Sequence, residues 1–338
     1  MIANEDPSFK ELLQFIKTSS KFIIAGHKEP DGDCVGCQLA LCSALKRLGK
    51  EAIACSAGPF KRTELRDYIE FFTDIPKDQD LIGTAGNFVG STKVIIVDCT
   101  GKERTGDIQN FLNQFPCAII DHHTAVNHPP STPQEPVYVD ADMPACTLII
   151  YKLIKALGLE LTEEEATLLF FGLCTDTGFF RFLTDNNAAA FEAAAEFVRC
   201  GANPKKIFNT ISGGKSIKSR ILTGQMLSRI ESHFDGKLLT SCETLDEFNY
   251  FGIESRDSDS LNQLMLSVEG VEATVTIRQE CADYCTVSLR STDKINVAQI
   301  ASSFEGGGHK NAAGLTMLGD ISFVKQKILE SFKNIFEC

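Results

Sequence analysis

The sequence predicts an α/β domain built on a parallel sheet, followed by a smaller α+β domain. In residues 1–203, short and continuously apolar runs alternate with segments of helical periodicity, as expected for parallel strands that are covered on both faces. Three of these runs end in histidine or aspartate, which places polar groups at one edge of the sheet. Residues 284–291 instead alternate polar and apolar side chains, which indicates a half-exposed strand. We therefore predict two domains, 1–203 and 224–338, joined by a linker at 204–223.

The first domain begins with an amphipathic helix at 9–17, and the apolar run at 22–25 then forms the first strand. After Asp33 the apolar residues recur at helical spacing until Gly49, which is a stop signal. A strand at 51–55 then implies a parallel pair with a right-handed crossover. The remaining predictions are a helix at 60–72, a loop at 78–91, strands at 93–98 and 117–121, a proline-rich loop at 129–136, and helices at 146–157, 162–173 and 187–200.

The second domain has a less regular pattern. Strands are predicted at 237–241, 273–279 and 284–291, with a helix at 261–268. A glycine-rich stretch at 306–314 precedes a terminal helix that runs to about residue 336.

The composition is that of an acidic globular protein. With 43% hydrophobic residues the chain can bury a core, and its net charge of −12 argues against the capture of long nucleic acid. A small anionic substrate stays compatible with this charge if bound cations reverse the local field. No apolar run approaches the ~18 residues that span a bilayer, and residues 1–6 lack the features of a signal peptide. We therefore expect a cytoplasmic protein without membrane contact, whose 13 cysteines are reduced and mostly buried.

Cys34 and Cys37 form a Cys-x-x-Cys pair directly after Asp33. A redox motif at a helix N-terminus would carry stabilised thiolates there. A structural interpretation needs only two small residues on a helix. We favour the structural interpretation, because no other thioredoxin-like feature accompanies the pair.

Side chains that can bind a metal follow three separate predicted strands. They are His27, Asp31 and Asp33 after the first strand, Asp98 after the strand at 93–98, and Asp121, His122 and His123 after the strand at 117–121. Asp176 adds another acid at the end of a predicted helix. Taken singly, such residues are helix caps or turn formers, and an N-cap explains Asp33 equally well. Their convergence at one edge of a parallel sheet favours a ligand site.

Aspartate and histidine in this number are typical of a site for two Mn²⁺-like cations about 3.5–4 Å apart. A structural zinc site prefers cysteine and histidine, and the cysteines here are not spaced as pairs of ligand pairs. One carboxylate can bridge both cations, which would lower the pKa of a shared water and neutralise charge on phosphoryl oxygens. The pattern therefore favours hydrolysis of phosphate esters.

The glycine run near the C-terminus indicates a second ligand-binding segment. Gly306, Gly307 and Gly308 allow the backbone to approach a ligand and offer N–H groups to an anion. His309 adds a donor, and Arg290 on the preceding strand adds a bidentate phosphate contact. The alternative is a tight strand-to-helix turn without a ligand.

In this order the motifs resemble those of the DHH–DHHA1 phosphoesterase family, and within it those of the nanoRNase/pAp-phosphatase group. They are residues 27–33 with Gly36, Val97-Asp98 with Arg104 and Gly106, Asp121-His122-His123, Thr175-Asp176-Thr177-Gly178, Ser288-Leu289-Arg290-Ser291, and residues 306–314. The motifs cover nearly the whole chain. The resemblance implies a parallel five-stranded DHH domain, a smaller DHHA1 domain with a mixed sheet, and a homodimer. Cys37 departs from the family pattern, where serine is frequent, and this bears on oxidation rather than on catalysis.

The resemblance also implies a role for each residue. One Mn²⁺ would be held by His27, Asp31 and Asp98, and the other by Asp33, Asp98, His122 and Asp176, with Mg²⁺ or Co²⁺ as substitutes. Asp121 would orient a ligand histidine, and His123 would face the scissile phosphate as a hydrogen-bond donor. The rest of the nucleotide would be held by Arg290, His309 and the backbone of Gly306, Gly307 and Gly308.

The activity that the resemblance implies is hydrolysis of short oligoribonucleotides to mononucleotides, removal of the 3′-phosphate of adenosine 3′,5′-bisphosphate (pAp), or both. Related alternatives are a linear dinucleotide (pApA) hydrolase, a RecJ-like single-strand exonuclease and, less in keeping with the glycine run, a family II-type pyrophosphatase. A nucleotide-sensing protein without turnover is the alternative of another class. Such proteins normally lose metal ligands, whereas every ligand position is filled here.

Overall fold

The computed structural model describes residues 6–75, 92–123, 131–292 and 294–336. The chain forms two compact units, 1–214 and 215–338. The division lies inside the predicted linker, most of which is helical, because a helix ends at residue 212 and the next begins at residue 217. The predicted domain boundaries stay a prediction.

The first unit is built on a five-stranded sheet in which every neighbouring pair is parallel. Its strands are β1 (Lys21–Ala25), β2 (Glu51–Cys55), β3 (Thr92–Val97), β4 (Cys117–Asp121) and β5 (Val137–Val139). Their order is β2-β1-β3-β4-β5. The predicted parallel sheet is therefore confirmed.

Helices cover both faces of this sheet. They are α1 (Pro7–Lys17), α2 (Gly32–Arg47), α3 (Gln109–Leu112), α4 (Cys146–Ala156), α5 (Glu163–Asp176), α6 (Ala188–Arg199) and α7 (Pro204–Ser212). Along β1, Phe22 and Ile24 pack into the larger hydrophobic core, whereas Ile23 and Ala25 pack into a second core on the opposite face. Because both faces are buried, the strands show no polar alternation.

The described residues of this unit also contain 3₁₀ segments at Thr63–Phe71, Lys102–Ile108 and Asp185–Asn187. The first corresponds to the predicted helix at 60–72 and is of the 3₁₀ type. Leu65 is its one buried residue, so tertiary packing does little to stabilise a regular α-helix there. The predicted loop at 78–91 lies outside the described residues, as do the first two residues of the predicted loop at 129–136.

The second unit contains a six-stranded mixed sheet in the order β10-β11-β9-β8-β7-β6, in which only β7 and β8 are parallel. Its elements are α8 (Ile217–Ser228), β6 (Glu231–His233), β7 (Leu238–Glu243), α9 (Leu245–Phe251), a 3₁₀ segment (Ile253–Ser255), α10 (Ser258–Leu266), β8 (Ala273–Cys281), β9 (Tyr284–Ser291), α11 (Val297–Ser302), β10 (Gly307–His309), β11 (Ala312–Leu318) and α12 (Ile321–Phe336). Val287 and Leu289 of β9 are buried in the same core as Ile328 of α12. This arrangement confirms the predicted α+β domain with a mixed sheet.

Two further findings concern membranes and thiols. Among the described residues, no helix is long and apolar enough to cross a membrane. The cysteines of the described ranges are free, and most of them are buried. Burial raises the pKa of Cys34 to about 12 and that of Cys37 well above its ordinary value, which is the opposite of an activated redox pair.

Candidate metal-binding site

The sheet order creates a switch point between β1 and β3, since β2 and β3 lie on opposite sides of β1. The register pairs Ala25 with Ile96, and Val97 with Ile120. These three strands therefore end at the same level, and the residues that follow them leave from one edge of the sheet. Ligands of open α/β sheets bind at such a crevice.

His27 follows β1 and faces two carboxylates. Its Nδ1 lies 2.9 Å from the carbonyl oxygen of Lys28. A carbonyl oxygen can only accept a hydrogen bond, so Nδ1 donates, and Nε2 is the nitrogen that faces the site. Nε2 lies 3.6 Å from Asp98 Oδ2 and 3.9 Å from Asp31 Oδ1.

Asp31 and Asp33 each contact a helix N-terminus. Asp31 is the N-cap of α2 and accepts from the backbone N–H groups of Asp33 and Cys34, both at 3.1 Å. Asp33 lies in the first turn of α2 but accepts at the start of α4, from the N–H groups of Cys146 at 2.6 Å and Thr147 at 3.0 Å. The N-cap that the sequence allowed for Asp33 therefore belongs to Asp31.

Asp98 occupies the centre of the site, directly after β3. Its backbone has a φ of +59°, in the left-handed region, which typically costs on the order of 1–3 kcal/mol. The side chain is almost fully buried. Its Oδ1 lies 3.4 Å from His122 Nε2, while Oδ2 lies 3.6 Å from His27 Nε2, so the carboxylate lies between the two imidazoles.

His122 follows β4 and joins the second half of the site. Its Nδ1 donates to the carbonyl oxygen of Met143 at 3.0 Å, which leaves Nε2 toward the carboxylates. Besides Asp98, this Nε2 lies 3.4 Å from Asp176 Oδ2 and 3.8 Å from Asp33 Oδ2. The structure thus brings together all six residues that were predicted as metal ligands.

Asp176 reaches the site because α5 packs closely against α2. Two glycines allow this close approach, because a side chain at either position would clash. A Cβ on Gly36 would lie 2.6 Å from the carbonyl oxygen of Leu168, and a Cβ on Gly172 would lie 2.9 Å from Asp33 Oδ1. The start of α5, where the sequence predicts a helix from residue 162, is set by a capping box between Thr162 and Glu165. Asp176 is its last residue.

The electrostatics of the site are those of crowded carboxylates. Burial and the charge of Asp98 raise the pKa of Asp33 to about 7. Burial and the charge of Asp33 likewise raise the pKa of Asp176 to about 8. Burial alone would lower the pKa of His122, but its carboxylate neighbours, Asp98 first, raise it to about 10. Added positive charge would stabilise this cluster.

Within the described residues, three buried polar atoms of the site have no hydrogen-bond partner: Asp98 Oδ1, Asp121 Oδ2 and His122 Nε2. Donor atoms of three residue groups lie within 4.8 Å of one another, namely His27–Cys34–Asp98, Asp98–His122–His123 and Asp33–His122–Asp176. Unpaired carboxylate oxygens and imidazole nitrogens at this spacing fit divalent cations. Sequence reasoning did not include Cys34, because its thiol was interpreted as structural.

Asp121 and His123 form a hydrogen-bonded pair beside this cluster. Asp121 Oδ1 accepts from His123 Nδ1 at 2.7 Å and from the backbone N–H groups of His122 at 2.8 Å and His123 at 3.2 Å. Asp121 therefore orients the ring of His123, whereas the expected partner was a ligand histidine, and the ring of His122 is held by Met143 instead. The hydrogen bond that His123 donates to Asp121 raises the pKa of His123, whose side chain is 39% exposed.

In the second unit, the glycine run forms β10 and the turn into β11 rather than a strand-to-helix turn. Gly308 has a φ of +145°, and a Cβ there would lie 2.5 Å from Ala313 Cα, so this position needs glycine. A Cβ on Gly306 would lie 2.5 Å from the carbonyl oxygen of Gly314, whereas Gly307 faces open space. Two of the three predicted binding glycines thus have a packing role.

Arg290 lies on β9, the strand that neighbours β11 of this hairpin. Ala312 of β11 pairs with Arg290 on one side and with His309 on the other, so these three residues form one row of the sheet. Arg290 Nη1 donates to Ser288 Oγ at 3.2 Å, and Nη2 lies 3.5 Å from Asp259 Oδ1. The side chain of His309 lies outside the described part of the structure.

Each of the two units matches the model of a known domain family. The model of the DHH family, N-terminal domain, matches residues 21–173, and that of the DHHA1 domain matches residues 238–337. The chain is 29% identical over 341 aligned positions to the bifunctional oligoribonuclease and PAP phosphatase NrnA of Thermus thermophilus, with 97% of this chain and 95% of that protein covered.

Two solved structures share the fold. An exopolyphosphatase-related protein from Bacteroides fragilis superimposes with a TM-score of 0.84 at 21% identity, over 98% of both chains. RecJ from Thermus thermophilus in complex with Mn²⁺ gives a TM-score of 0.55 at 16% identity, over 97% of this chain and 55% of RecJ.

The fold and the matched domains define a hydrolase of the phosphoesterase class. More narrowly, the chain carries a DHH domain at residues 21–173 and a DHHA1 domain at residues 238–337.

Proposed function

We propose that this protein is a metal-dependent phosphoesterase that hydrolyses short oligoribonucleotides to mononucleotides and removes the 3′-phosphate of pAp. The observation that carries the proposal is the cluster around Asp98, where two imidazole nitrogens and several carboxylates converge with buried atoms unpaired. The name of the Thermus thermophilus relative, which aligns along nearly the whole chain, supports the choice of substrates.

The proposed cofactor is a pair of Mn²⁺ ions, with Mg²⁺ or Co²⁺ as substitutes. His27, Asp31 and Asp98 would hold one ion, and Asp33, Asp98, His122 and Asp176 the other. The mixture of carboxylate oxygens and imidazole nitrogens supports metals of this kind over a structural zinc ion. When bound, two divalent cations neutralise charge on a phosphoryl group and lower the pKa of water.

The chain's own residues supply positioning and a proton. The Nδ1–H of His123 is held by Asp121, so the other ring nitrogen is directed away from this hydrogen bond and can donate to a phosphoryl or leaving-group oxygen. The half-exposed ring makes it accessible to substrate. Arg290 is proposed to bind a phosphate of the nucleotide through its guanidinium group, together with His309 and the backbone of Gly306, Gly307 and Gly308.

Other substrates of the same reaction class remain the alternatives. A pApA hydrolase would use the same groups. A RecJ-like exonuclease acting on long strands is disfavoured by the net charge of −12, because binding a long backbone relies on basic surfaces. A pyrophosphatase is disfavoured by the match of residues 238–337 to the DHHA1 domain.

A turnover panel tests the proposal. The purified protein with Mn²⁺ is given pAp, pApA, RNA of two to about 24 nucleotides, and pyrophosphate. We expect the highest kcat/KM for pAp and the shortest RNAs, with no hydrolysis of any substrate by Asp98→Ala. Dominant hydrolysis of pyrophosphate would refute the proposal in favour of a pyrophosphatase. Equal rates on all RNA lengths would favour the RecJ-like exonuclease.

The proposal extends to a homodimer in the cytoplasm. The family resemblance supports the dimer, and the free, mostly buried cysteines of the described residues support a reducing compartment. Sedimentation velocity of the full chain tests the dimer, and a monomer at micromolar concentration would refute it.

A further inference from the structure

The chain directly after Asp176 has an unusual backbone. Gly178, Phe179 and Phe180 have φ values of +56°, +57° and +70°, so three consecutive residues are left-handed. Side chains as bulky as phenylalanine rarely adopt this conformation, and such outliers concentrate at functional sites. The strained backbone of this segment therefore suggests a function in addition to ending the helix.

Packing and hydrogen bonds hold this turn in one conformation. The Phe179 ring packs edge-on against Phe208 at 5.2 Å, and the Phe180 ring stacks on Phe191 at 5.3 Å. The Phe180 N–H donates to Thr177 Oγ1 at 3.0 Å. These two phenylalanines thus anchor the turn to the helices of the first unit.

Phe182 is different, because its side chain is largely exposed, at 68%. Its N–H donates to the carbonyl oxygen of Thr177 at 3.1 Å, and its ring lies against Gly178, where a Cβ would be 2.5 Å from Cε2. Gly178 is two residues after Asp176, so the turn against which the ring packs adjoins a proposed metal ligand. An exposed aromatic ring that packs against Gly178 thus follows a proposed metal ligand closely in the chain.

Arg181 completes the arrangement. Its Nε donates to the carbonyl oxygen of Gly178 at 2.7 Å, and its guanidinium carbon lies 5.5 Å from the centre of the Phe182 ring. The hydrogen bond fixes a positive charge at the aromatic surface. An aromatic face with a cation beside it is the combination that binds nucleobases by stacking.

We propose that Phe182 and Arg181 form a stacking platform for a nucleobase of the substrate. The inference rests on the proposed function, since a base next to the scissile phosphate implies a nucleotide substrate. Stacking is tolerant of sequence because every base has a π-face. The platform would let the first unit favour nucleotides over simple phosphate esters without a preference for a particular base sequence.

The test compares adenosine 5′-monophosphate (AMP) with ribose 5-phosphate, which share the sugar and phosphate and differ in the base. Binding of each to the Mn²⁺-loaded full chain is measured by calorimetry, which needs no turnover. We expect the protein to bind AMP about tenfold more tightly than ribose 5-phosphate, from the usual strength of base stacking. In Phe182→Ala the ratio should fall to about one, and in Phe182→Tyr it should persist.

Phe323 provides a matched control in the second unit. It is also an exposed phenylalanine, at 49%, its ring also lies against a glycine, Gly319, and Lys327 Nζ lies 6.0 Å from the ring centre. Phe323→Ala should keep the tenfold ratio. If Phe182→Ala does not fold, Phe182→Leu keeps an apolar side chain without a π-face and should lower the ratio in the same way.

An unchanged ratio in folded Phe182→Ala or Phe182→Leu overturns the platform. So does an equal loss for AMP and ribose 5-phosphate, which would indicate a disturbed phosphate site. A ratio of about one in the unmodified protein also overturns the platform, because the base would then contribute nothing to binding. If base discrimination behaves as expected but pAp and short RNA are not hydrolysed, the proposed function fails while the platform stands.

Discussion

The pair of Asp121 and His123 allows a quantitative test of how the proton is supplied. The perturbation is Asp121→Asn, which keeps the shape of a side chain that is fully buried but removes its charge. The amide oxygen can still accept from the backbone N–H groups of His122 and His123. The main loss is the charge-assisted hydrogen bond to His123 Nδ1, which measures 2.7 Å.

The size of the effect follows from that bond. A hydrogen bond to a charged partner contributes about 1.5–3 kcal/mol. Because the His123 side chain is 39% exposed, solvent screening favours the lower end, about 1.5 kcal/mol, or roughly tenfold in kcat. Removing the proton donor itself, in His123→Ala, should lower kcat by about 10²- to 10⁴-fold.

The pH dependence has a definite sign. The hydrogen bond that His123 donates to Asp121 raises the pKa of His123, so the imidazolium that donates the proton persists to higher pH. In Asp121→Asn this stabilisation is lost and the pKa falls. The basic limb of the kcat–pH profile should therefore move to lower pH.

A double-mutant cycle on pAp hydrolysis is the assay. Once His123 is alanine, Asp121 has no ring to orient, so Asp121→Asn should change kcat by no more than about twofold in that background. A tenfold loss in both backgrounds would refute the reasoning, because Asp121 would then act independently of His123. Circular dichroism of each variant shows whether the fold is kept.

Three further predictions concern the metals, the second unit and helix packing. Asp98→Ala should abolish hydrolysis and lower the Mn²⁺ retained after equilibrium dialysis, because its carboxylate lies between both imidazoles. Arg290→Ala should raise KM for pAp about tenfold and leave kcat nearly unchanged, as expected for loss of one phosphate contact. Gly172→Ala should lower the free energy of unfolding in urea by about 1–3 kcal/mol, since the added Cβ would lie 2.5 Å from Thr147 Cγ2.

Matched variants make these outcomes interpretable. Arg199→Ala, in an exposed side chain of α6, should leave KM unchanged. Gly224→Ala, in α8 with open space around the glycine, should not destabilise the protein. Undiminished Mn²⁺-dependent hydrolysis by Asp98→Ala would remove its bridging role, and an unaltered KM in Arg290→Ala would remove that residue from substrate binding. An unchanged urea midpoint in Gly172→Ala would show that α5 can move away from α4 and α2 without cost.

Much of the fold was predictable because its signals are local. The capping box at Thr162 and Glu165 marks the start of α5 within four residues of sequence. The apolar runs of β1, β3 and β4 identify strands buried on both faces, and parallel strands end together. The helix expected at 60–72 is a 3₁₀ helix at Thr63–Phe71, because Leu65 is the one buried residue of that segment and packing does little to stabilise an α-helix there.

The candidate site was predictable as a set of residues but not as a set of contacts. Asp33 accepts from the N-terminus of α4, more than a hundred positions away in sequence, and nothing near Asp33 indicates that partner. Asp121 orients His123 rather than His122, a choice set by the direction of two adjacent rings. Phe182 is exposed while Phe179 and Phe180 are packed, although the three side chains are alike in sequence.

By itself, the sequence determined most strands and helices of the first unit, the parallel class of its sheet, and which acids and imidazoles follow the strands. Hydrophobic periodicity and capping act over a few residues, so they can be read without coordinates. Only the tertiary structure decided which nitrogen faces which carboxylate, which glycines serve packing, and which aromatic ring is left in solvent. Those outcomes depend on how distant segments pack in three dimensions, and residue types at local spacing do not specify that packing.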